Sequence, residues 1–550
     1  MALAGPVMPA LNGNRTPKAF PDHRTREHDV KQKWLLTALA GLAVLAAPAW
    51  AADHAKPKNG NSKGPAAMAA PPKARTVVTH GSVEVDGKTI RYTATAGTIL
   101  LRDKDNKPIG SMFYVAYTKD GVRDLAHRPV TFLYNGGPGA SSNWLTMSGL
   151  GPYRVDLVNG AATPPAPYSV VPSHQTILND TDLVFIDAMG TGFSHIVGNG
   201  KGKMFWGVDE DVKSFGQFIQ RYVTRNDRWN SPLFLYGESY GTTRSAALAY
   251  YLQQQGIAVN GVILQSSVLN YFDGSPGSDD GYVFDLPTFA ALAWYHDRIP
   301  GKPASLTDFV EQARKFADGP YAAALREGDD LPTATLGAIA QRMHALTGLP
   351  VDYLERANLR VSAAEFRKEL LLPEREHIGR YDGRYVAEDA SAIASRPTFD
   401  PSDQQISPAL NQGYLWYVHH VLKWNTSREY VGLSFAANKA WDWKHQAPRG
   451  YGKWQLPDVA ADLAAAMRMN PYLRVLSENG YFDLATPFHA TEYDLDHVTL
   501  GPQLRKHIQF AYFESGHPIY INSKSLQAMH ARLDAFYAGT LRADDRGAAG

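Results

Sequence analysis

The stretch that decides the fold reads Leu233-Phe-Leu-Tyr-Gly237-Glu238-Ser239-Tyr240-Gly241. A short apolar run leads directly into the pattern Gly-x-Ser-x-Gly, and a helical pattern follows. In such a turn between strand and helix, the chain bends so tightly that glycines must flank the serine, whose hydroxyl is pushed outward. The unpaired amides at the start of the helix favour negative charge beside that hydroxyl. This context predicts a nucleophilic serine at position 239, and an ordinary Gly-Ser turn is the alternative.

Outward from this turn, apolar runs typical of buried parallel strands alternate with helical patterns. Such alternation is what a parallel sheet with right-handed crossovers requires. Residues 77–85, 89–95 and 112–118 alternate in polarity instead, which indicates antiparallel entry strands. The predicted buried strands are 130–134, 182–186, 233–236, 262–265, 473–476 and 509–513, and the predicted helices include 208–223 and 242–255.

A long interval separates the predicted strand 262–265 from the predicted strand 473–476. Segments 306–316 and 336–346 have helical patterns there, without a comparable series of buried strands, so we expect a mainly helical cap inserted above the sheet. Its aromatic residues, Tyr414 to Trp443, are of a kind that usually forms core, with a substrate-facing role as the alternative. The predicted organisation is 1–51 signal peptide with an N-terminal extension, 52–75 disordered linker, 76–270 first part of the core, 271–447 cap, 448–540 second part of the core and 541–550 C-terminal tail.

A serine hydroxyl needs a base to take its proton and an acid to orient that base. In this type of fold the chain order is Ser, then acid, then His. Asp483 follows one late strand and His517 follows the next. The loops that carry them would therefore lie at the carboxyl ends of the strands, beside Ser239. Glu478 and His489 are the nearest competitors for the two roles. The joint placement predicts a triad of Ser239, Asp483 and His517.

Acyl transfer also needs amide donors that stabilise an oxyanion. The residue after the nucleophile, Tyr240, offers one amide, and an early glycine-rich loop usually offers another. The sequence Asn135-Gly136-Gly137-Pro138-Gly139 ends a predicted strand, and glycines there let backbone amides approach a ligand. A phosphate-binding loop is the competing explanation, but the Gly-Lys-Ser/Thr ending is missing.

Composition excludes several classes of function. Lys+Arg 55 against Asp+Glu 54 leaves a net charge of +1, with no long basic stripe, so nucleic acid is not an expected partner. The absence of cysteine excludes thiol catalysis, thiolate metal sites and disulfides. No cofactor and no metal are expected, because neither His419-His420 nor the loop from Asp273 to Gly281 has ligand spacing.

The N-terminal region has the pattern of an export signal. Lys31-Gln32-Lys33 precedes an apolar run, and Ala49-Trp50-Ala51 supplies a small-x-small cleavage pattern, so we expect cleavage after Ala51. A membrane anchor is the alternative, but the run is at the short limit for crossing a bilayer. Residues before Val30 exceed what a signal needs, which suggests translation from near that position. We therefore expect a periplasmic or secreted protein without a stable membrane anchor.

Taken together, these motifs resemble the serine carboxypeptidase family of α/β-hydrolases, in a bacterial-type member. The resemblance implies acyl-enzyme chemistry that releases a C-terminal residue from peptide substrates. It also implies that Gly137 and Tyr240 form the oxyanion hole, while Asn135, Gly136 and Glu238 bind the substrate's terminal carboxylate. The motifs that carry it are Asn135-Gly-Gly-Pro-Gly-Ala-Ser-Ser142, Gly151-Pro152, Pro167-Tyr-Ser169, Asp187 with Gly190-Thr-Gly-Phe-Ser194, Gly237-Glu-Ser-Tyr-Gly241, Asp483 and Gly516-His517.

Two positions depart from the family pattern. Ala140 stands where the family's glycine-rich block has Cys, and Gly149 stands where a second glutamate is expected to pair with Glu238. Two close carboxyl groups share a proton and so favour a substrate carboxylate at acid pH. With Glu238 alone, the resemblance does not carry over the family's acid optimum or its strict C-terminal preference. An esterase or acyltransferase on the same triad is an open alternative, because some family relatives pass the acyl group to an alcohol instead of water. A catalytically inactive binding protein is another.

Overall fold

The structure of the chain is a computed structural model and describes residues 72–448, 450 and 452–548. The predicted signal peptide and most of the predicted linker lie outside these residues. The last linker residue, Arg75, is already attached to the fold: its backbone N–H donates to Thr98 Oγ1 at 2.9 Å, and its guanidinium lies 4.2 Å from the Trp424 ring centroid. Within the described part of the chain, no helix combines the length and the apolar character needed to cross a membrane.

The strands fall close to the predicted ranges, although several are longer. The strands are β1 (Thr76–Val85), β2 (Lys88–Arg102), β3 (Pro108–Lys119), β4 (Val130–Tyr134), β5 (Tyr153–Val155), β6 (Val170–Pro172), β7 (Asp182–Ile186), β8 (His195–Ile196), β9 (Leu233–Glu238), β10 (Gly261–Gln265), β11 (Glu376–Ile378), β12 (Val386–Glu388), β13 (Arg474–Gly480) and β14 (Ile508–Phe513).

The helices include the two predicted crossovers and a large group between β10 and β13. The helices are α1 (Asn143–Thr146), α2 (Val208–Arg225), α3 (Tyr240–Gln254), α4 (Asp280–Tyr295), α5 (Leu306–Phe316), α6 (Ala322–Glu327), α7 (Thr333–Thr347), α8 (Val351–Arg356), α9 (Ala363–Glu369), α10 (Pro401–His420), α11 (Phe435–Lys439), α12 (Ala460–Met469), α13 (Phe488–Asp496), α14 (Pro502–Arg505) and α15 (Ser523–Ala548).

The central sheet has the order β1-β2-β3-β7-β4-β9-β10-β13-β14, with β8 paired to β3. The pairings of β1, β2 and β3 are antiparallel, and those from β7 to β14 are parallel. β4, β7, β9 and β10 are buried along their whole length, which is why they read as continuous apolar runs. A mostly parallel sheet with antiparallel entry strands and a Gly-x-Ser-x-Gly turn after a central strand is the α/β-hydrolase fold. The predicted fold class is confirmed.

Successive residues of the parallel strands face opposite layers of helices. Phe132 and Leu235 belong to a core cluster shared with α2, α3 and α12, whereas their neighbours Leu133 and Phe234 belong to a second cluster shared with α10 and α15. The sheet is therefore covered on both faces.

The residues between β10 and α12 form α4 to α11 and the hairpin β11–β12. α4, α5, α7 and α9 share a hydrophobic cluster of their own, in agreement with a mainly helical insertion. α10 differs, because Tyr414 and Tyr417 pack in the cluster beneath the sheet and are 1% exposed. Trp424 packs there as well, so much of the predicted aromatic group is core. At the other end of the chain, α15 continues to Ala548 through the predicted start of a C-terminal tail at residue 541.

One buried cation, Arg244, connects two helices and the end of a strand close to the predicted nucleophile. Arg244 of α3 donates through Nε to Asp211 Oδ2 of α2 at 2.6 Å and through Nη1 to the carbonyl oxygen of Asn135 at 2.8 Å. Its side chain is fully buried, and its guanidinium lies 4.2 Å from the centroid of the Phe215 ring. The same side chain thus holds two helices and the end of β4.

Replacing Arg244 with Met should lower the free energy of unfolding by about 3–5 kcal/mol, because it leaves the buried Asp211 carboxylate without its counter-ion. Chemical denaturation followed by circular dichroism measures this. The matched control is Arg356→Met, since Arg356 pairs with Asp352 on the surface, where such pairs contribute about 0–1 kcal/mol. Equal effects of the two substitutions would contradict the assignment.

Candidate active site

Ser239 lies at the turn between β9 and α3 with φ of 61° and ψ of −131°, a conformation that side-chain-bearing residues rarely adopt. The turn closes because Gly237 has no side chain: a Cβ there would collide with the carbonyl of Gly241. The Ser239 amide donates to the carbonyl oxygen of Gln265 at the end of β10, at 3.1 Å. The Ser239 side chain is partly exposed. This is the strained turn that the sequence predicts, with the hydroxyl available at the carboxyl end of the sheet.

The structure brings Asp483 and His517 into contact. His517 Nδ1 lies 2.7 Å from Asp483 Oδ2, and both side chains are almost completely buried. Asp483 is itself oriented, because its Oδ1 accepts the amides of Ala485 and Thr486 at 2.8 and 3.0 Å. The Thr486 hydroxyl donates to Asp483 Oδ2 at 2.7 Å. The carboxylate therefore has a fixed position from which it holds the imidazole.

Burial lowers the pKa of His517, but the adjacent Asp483 and Glu238 carboxyl groups more than offset this effect and raise the pKa above its ordinary value. A histidine in this environment is a stronger base than in water. That property suits a group that must take a proton from a serine hydroxyl.

The loop that carries His517 is attached beside the turn that carries Ser239. The carbonyl oxygen of His517 accepts from Ser266 Oγ at 2.7 Å and from Gln265 Nε2 at 3.2 Å. Gln265 is also the residue whose carbonyl holds the Ser239 amide. The two loops therefore share an anchor at the end of β10, the strand beside β9.

A segment of the insertion around Tyr381 also contacts His517, and no motif in the sequence predicts this contact. The Tyr381 ring lies 5.2 Å from the His517 ring, and the Tyr381 carbonyl oxygen accepts the His517 amide at 2.6 Å. On its other side Tyr381 packs against Trp144, with ring centroids 6.0 Å apart. Sequence reasoning missed Tyr381 because it lies far along the chain from both strand ends that carry the predicted acid and base.

The glycine-rich loop after β4 lies against the start of α3. A Cβ at Gly136 would collide with the Tyr240 amide nitrogen, so the two backbones are in direct contact. Gly137 adopts a φ of 103° that favours glycine. Two contacts fix the loop from the insertion: Asn438 Nδ2 donates to the Pro138 carbonyl at 3.1 Å, and the Ser434 amide donates to the Gly139 carbonyl at 2.8 Å. The predicted oxyanion residues Gly137 and Tyr240 thus lie on adjoining backbone segments.

Glu238 is buried beside this loop and is 1% exposed. Its Oε2 accepts from the Tyr520 hydroxyl at 3.0 Å, and it interacts with the Asn135 side chain. Burial raises the pKa of Glu238 to about 7, against the opposing effects of His517, Tyr520 and Asn135. The carboxyl group can therefore be uncharged near neutrality and donate a hydrogen bond.

Position 149 is built for glycine. Gly149 has a φ of 102°, and a Cβ would lie 2.9 Å from Ser173 Oγ and 3.0 Å from Leu526 Cδ2. A glutamate at this position would therefore be strained, and Glu238 has no second carboxyl group from position 149 beside it. The hydroxyl of Tyr520 is the group that bonds to Glu238 instead.

The two competitors for the triad have partners elsewhere. Glu478 Oε2 accepts from the Tyr236 hydroxyl at 2.9 Å, and burial raises its pKa to about 8. His489 lies 2.8 Å from both Asp318 Oδ1 and Glu492 Oε2. Burial lowers the pKa of His489, but these two carboxylates offset the effect and raise it to about 9. The geometry favours Asp483 and His517 over this pair.

A family model described as serine carboxypeptidase, Peptidase S10, matches residues 90–276. That segment contains the glycine-rich loop and Ser239 but neither Asp483 nor His517. Two curated relatives match part of the chain. Pheromone-processing carboxypeptidase KEX1 of Arthroderma otae is 27% identical over 25% of this chain and 20% of its own length. Serine carboxypeptidase S10 family member 1 of Dictyostelium discoideum is 25% identical over 27% of this chain and 33% of its own length.

The chain thus spans a third or less of the curated relatives it matches, and neither of them supports the expected bacterial type, which stays a prediction. Among solved structures, a prohormone-processing carboxypeptidase from Saccharomyces cerevisiae is 14% identical with a TM-score of 0.48, covering 82% of this chain and 92% of that one. Proline iminopeptidase of Mycobacterium smegmatis is 12% identical with a TM-score of 0.36, covering 81% and 99%. Residues 90–276 of this chain are therefore similar to the serine carboxypeptidase family S10, in the family model and in both relatives.

Proposed function

We propose that the chain is an exported serine peptidase of carboxypeptidase type, which releases C-terminal residues from peptides through an acyl-enzyme on Ser239. The observation that carries the proposal is the 2.7 Å contact between His517 and Asp483, in a loop anchored at the same strand end as the strained Ser239 turn. The similarity of residues 90–276 to the serine carboxypeptidase family model supports the same chemistry.

In the proposed reaction, His517 takes the proton of the Ser239 hydroxyl as its oxygen attacks the scissile carbonyl carbon. The amides of Gly137 and Tyr240 stabilise the oxyanion that forms. His517 then gives its proton to the leaving amine, and the peptide bond breaks. Water attacks the acyl-enzyme with the same base, which releases the acid and restores Ser239. Asp483 keeps the imidazole in the productive tautomer and stabilises its charged form.

The preference for a free C-terminus would come from Asn135, Gly136 and Glu238. An ionised glutamate would repel a substrate carboxylate, whereas a protonated one donates a hydrogen bond to it. The raised pKa of Glu238, about 7, supports a single carboxyl group that performs this role without a second glutamate. The site would therefore bind carboxylates from acid pH up to near neutrality.

Ser239→Ala should reduce kcat for peptide hydrolysis by roughly 10⁴- to 10⁶-fold while the fold stays intact, because the nucleophile is lost and no other group replaces it. Steady-state kinetics with N-blocked dipeptides measures the loss, and circular dichroism checks the fold. The control is Ser395→Ala, since Ser395 is exposed on the surface. Labelling by a fluorophosphonate probe should vanish in Ser239→Ala alone, and absence of labelling in the parent would support an inactive binding protein instead.

The alkaline limb of the pH profile should follow Glu238. As pH rises through about 7 the group ionises, so kcat/KM for peptides with a free C-terminus should fall by about tenfold for each further pH unit. Glu238→Gln stays uncharged and should remove that limb. Matched peptide amides and esters lack the terminal carboxylate and provide the control. Their kcat/KM should not fall as Glu238 ionises. An alkaline limb that is unchanged in Glu238→Gln would contradict the role assigned to Glu238. Better turnover of esters than of peptides would favour the esterase alternative.

Gly149→Glu should not restore a carboxyl pair but should destabilise the protein by about 1–3 kcal/mol, because a side chain at that φ is strained and meets Ser173 and Leu526. Thermal unfolding measures the change. Gly274→Glu is the matched control, since a Cβ there has no atom within 4 Å. A stable Gly149→Glu variant with a more acidic pH optimum would show that the position accepts the family's glutamate.

A further inference from the structure

Three side chains with metal-ligating atoms that do not belong to the candidate active site lie close together. Asp86 lies in the turn between β1 and β2, and His530 and Asp534 lie one turn apart on α15. One ligand atom from each lies within 4.8 Å of the others. Because residues four apart on a helix project from the same face, His530 and Asp534 present their donors together towards the turn.

His530 is the buried member of this group and is 7% exposed. Both of its ring nitrogens are shielded from solvent, and neither has a hydrogen-bond partner among the described residues. Its Nε2 lies 3.5 Å from Asp534 Oδ2, which is too long for a good hydrogen bond. A buried imidazole without partners is unfavourable in a folded protein, and a metal ion that accepts the lone pair of one ring nitrogen removes part of that cost.

A further carboxyl group lies beside the imidazole, and burial together with the neighbouring Asp534 raises the pKa of this group, Asp180, to about 8. Asp180 adjoins Asp534, and its Oδ2 is buried without a hydrogen-bond partner. Among the side chains that the structure describes, no Lys or Arg forms an ion pair with either carboxylate. The nearby Arg128 is engaged with Asp182 and with the carbonyl oxygens of residues 178 and 179. The cluster therefore combines imidazole nitrogen with carboxyl oxygen at a place where no Lys or Arg among the described residues is paired with Asp180 or Asp534.

The spacing fits a small divalent ion. Zinc binds imidazole nitrogen and carboxylate oxygen at about 2.0–2.2 Å in a tetrahedron, so neighbouring ligand atoms lie about 3.3 Å apart. The 3.5 Å between His530 and Asp534 is close to this value, and Asp86 is an exposed turn residue that can approach. One imidazole with two carboxylates suits zinc better than magnesium or calcium, which prefer oxygen alone.

We propose that Asp86, His530 and Asp534 bind a Zn²⁺ ion that connects the β1–β2 turn to the last helix. Asp180 or water completes the tetrahedron. In a chain without cysteine, the ion would provide a cross-link between the first hairpin and α15. The sequence did not indicate the site, because the turn and the helix that supply its ligands lie near opposite ends of the chain. The inference is independent of the proposed peptidase activity.

The test uses the full chain, free of any affinity tag, stripped with EDTA and dialysed. Isothermal titration with Zn²⁺ measures stoichiometry and affinity, and thermal unfolding with and without Zn²⁺ measures stabilisation. We expect one ion per chain and a higher melting temperature with zinc, because a ligand that binds only the folded state stabilises it. Titration with Co²⁺ should give the visible absorption of an ion bound to imidazole and carboxylate.

Asp86→Asn and Asp534→Asn should each weaken zinc binding by at least tenfold and abolish the thermal shift. Asp86 is exposed, so its metal-free variant should melt like the metal-free parent, which separates lost binding from misfolding. Asp105→Asn is the matched control, since Asp105 is an exposed aspartate in the next hairpin turn. Zinc binding that is unchanged in Asp86→Asn and Asp534→Asn, or the absence of saturable binding to the parent, would overturn the proposal.

Discussion

The backbone strain at Ser239 is the constraint on which the rest of the structure depends. A residue with a φ of 61° in this region stays there only if its surroundings leave no lower-energy arrangement. Gly237 permits the turn, the carbonyl of Gln265 holds the serine amide, and α3 begins at once on the far side. Arg244, one helical turn further on, reaches back to the Asn135 carbonyl, so the turn and the glycine-rich loop are held by the same helix.

Both proposed roles near Ser239 require uncharged groups. His517 must be neutral to accept a proton, and Glu238 must be neutral to donate a hydrogen bond to a carboxylate. Burial disfavours the charged form of each, whereas the attraction between their charged forms opposes that preference. Tyr520 and Asn135 keep the glutamate's oxygens occupied, so the group can be deeply buried without a second carboxyl beside it.

The features that could be predicted from the sequence are those that local pattern encodes. Strands buried on both faces must be continuously apolar, so 130–134 and 182–186 were found to the residue. Asp483 and His517 could be proposed because chain order and strand ends are fixed by this fold. Tyr381 and Tyr520 could not, since each acts through a contact that only the folded chain creates. The helix that runs to Ala548 was missed because charged and small residues dominate its last turns, whereas Met529 and Leu533 bury its middle against the sheet.

The contact between Tyr381 and His517 also bears on how freely the insertion can move. The insertion does not rest on the core as a detachable cover, because its backbone carbonyl holds the amide of the histidine itself. A displacement of the Tyr381 segment would break the hydrogen bond to the His517 amide and remove the Tyr381 ring from the imidazole. The Tyr381 segment is therefore tied to the imidazole, and a movement of this part of the insertion would also displace the loop that carries His517.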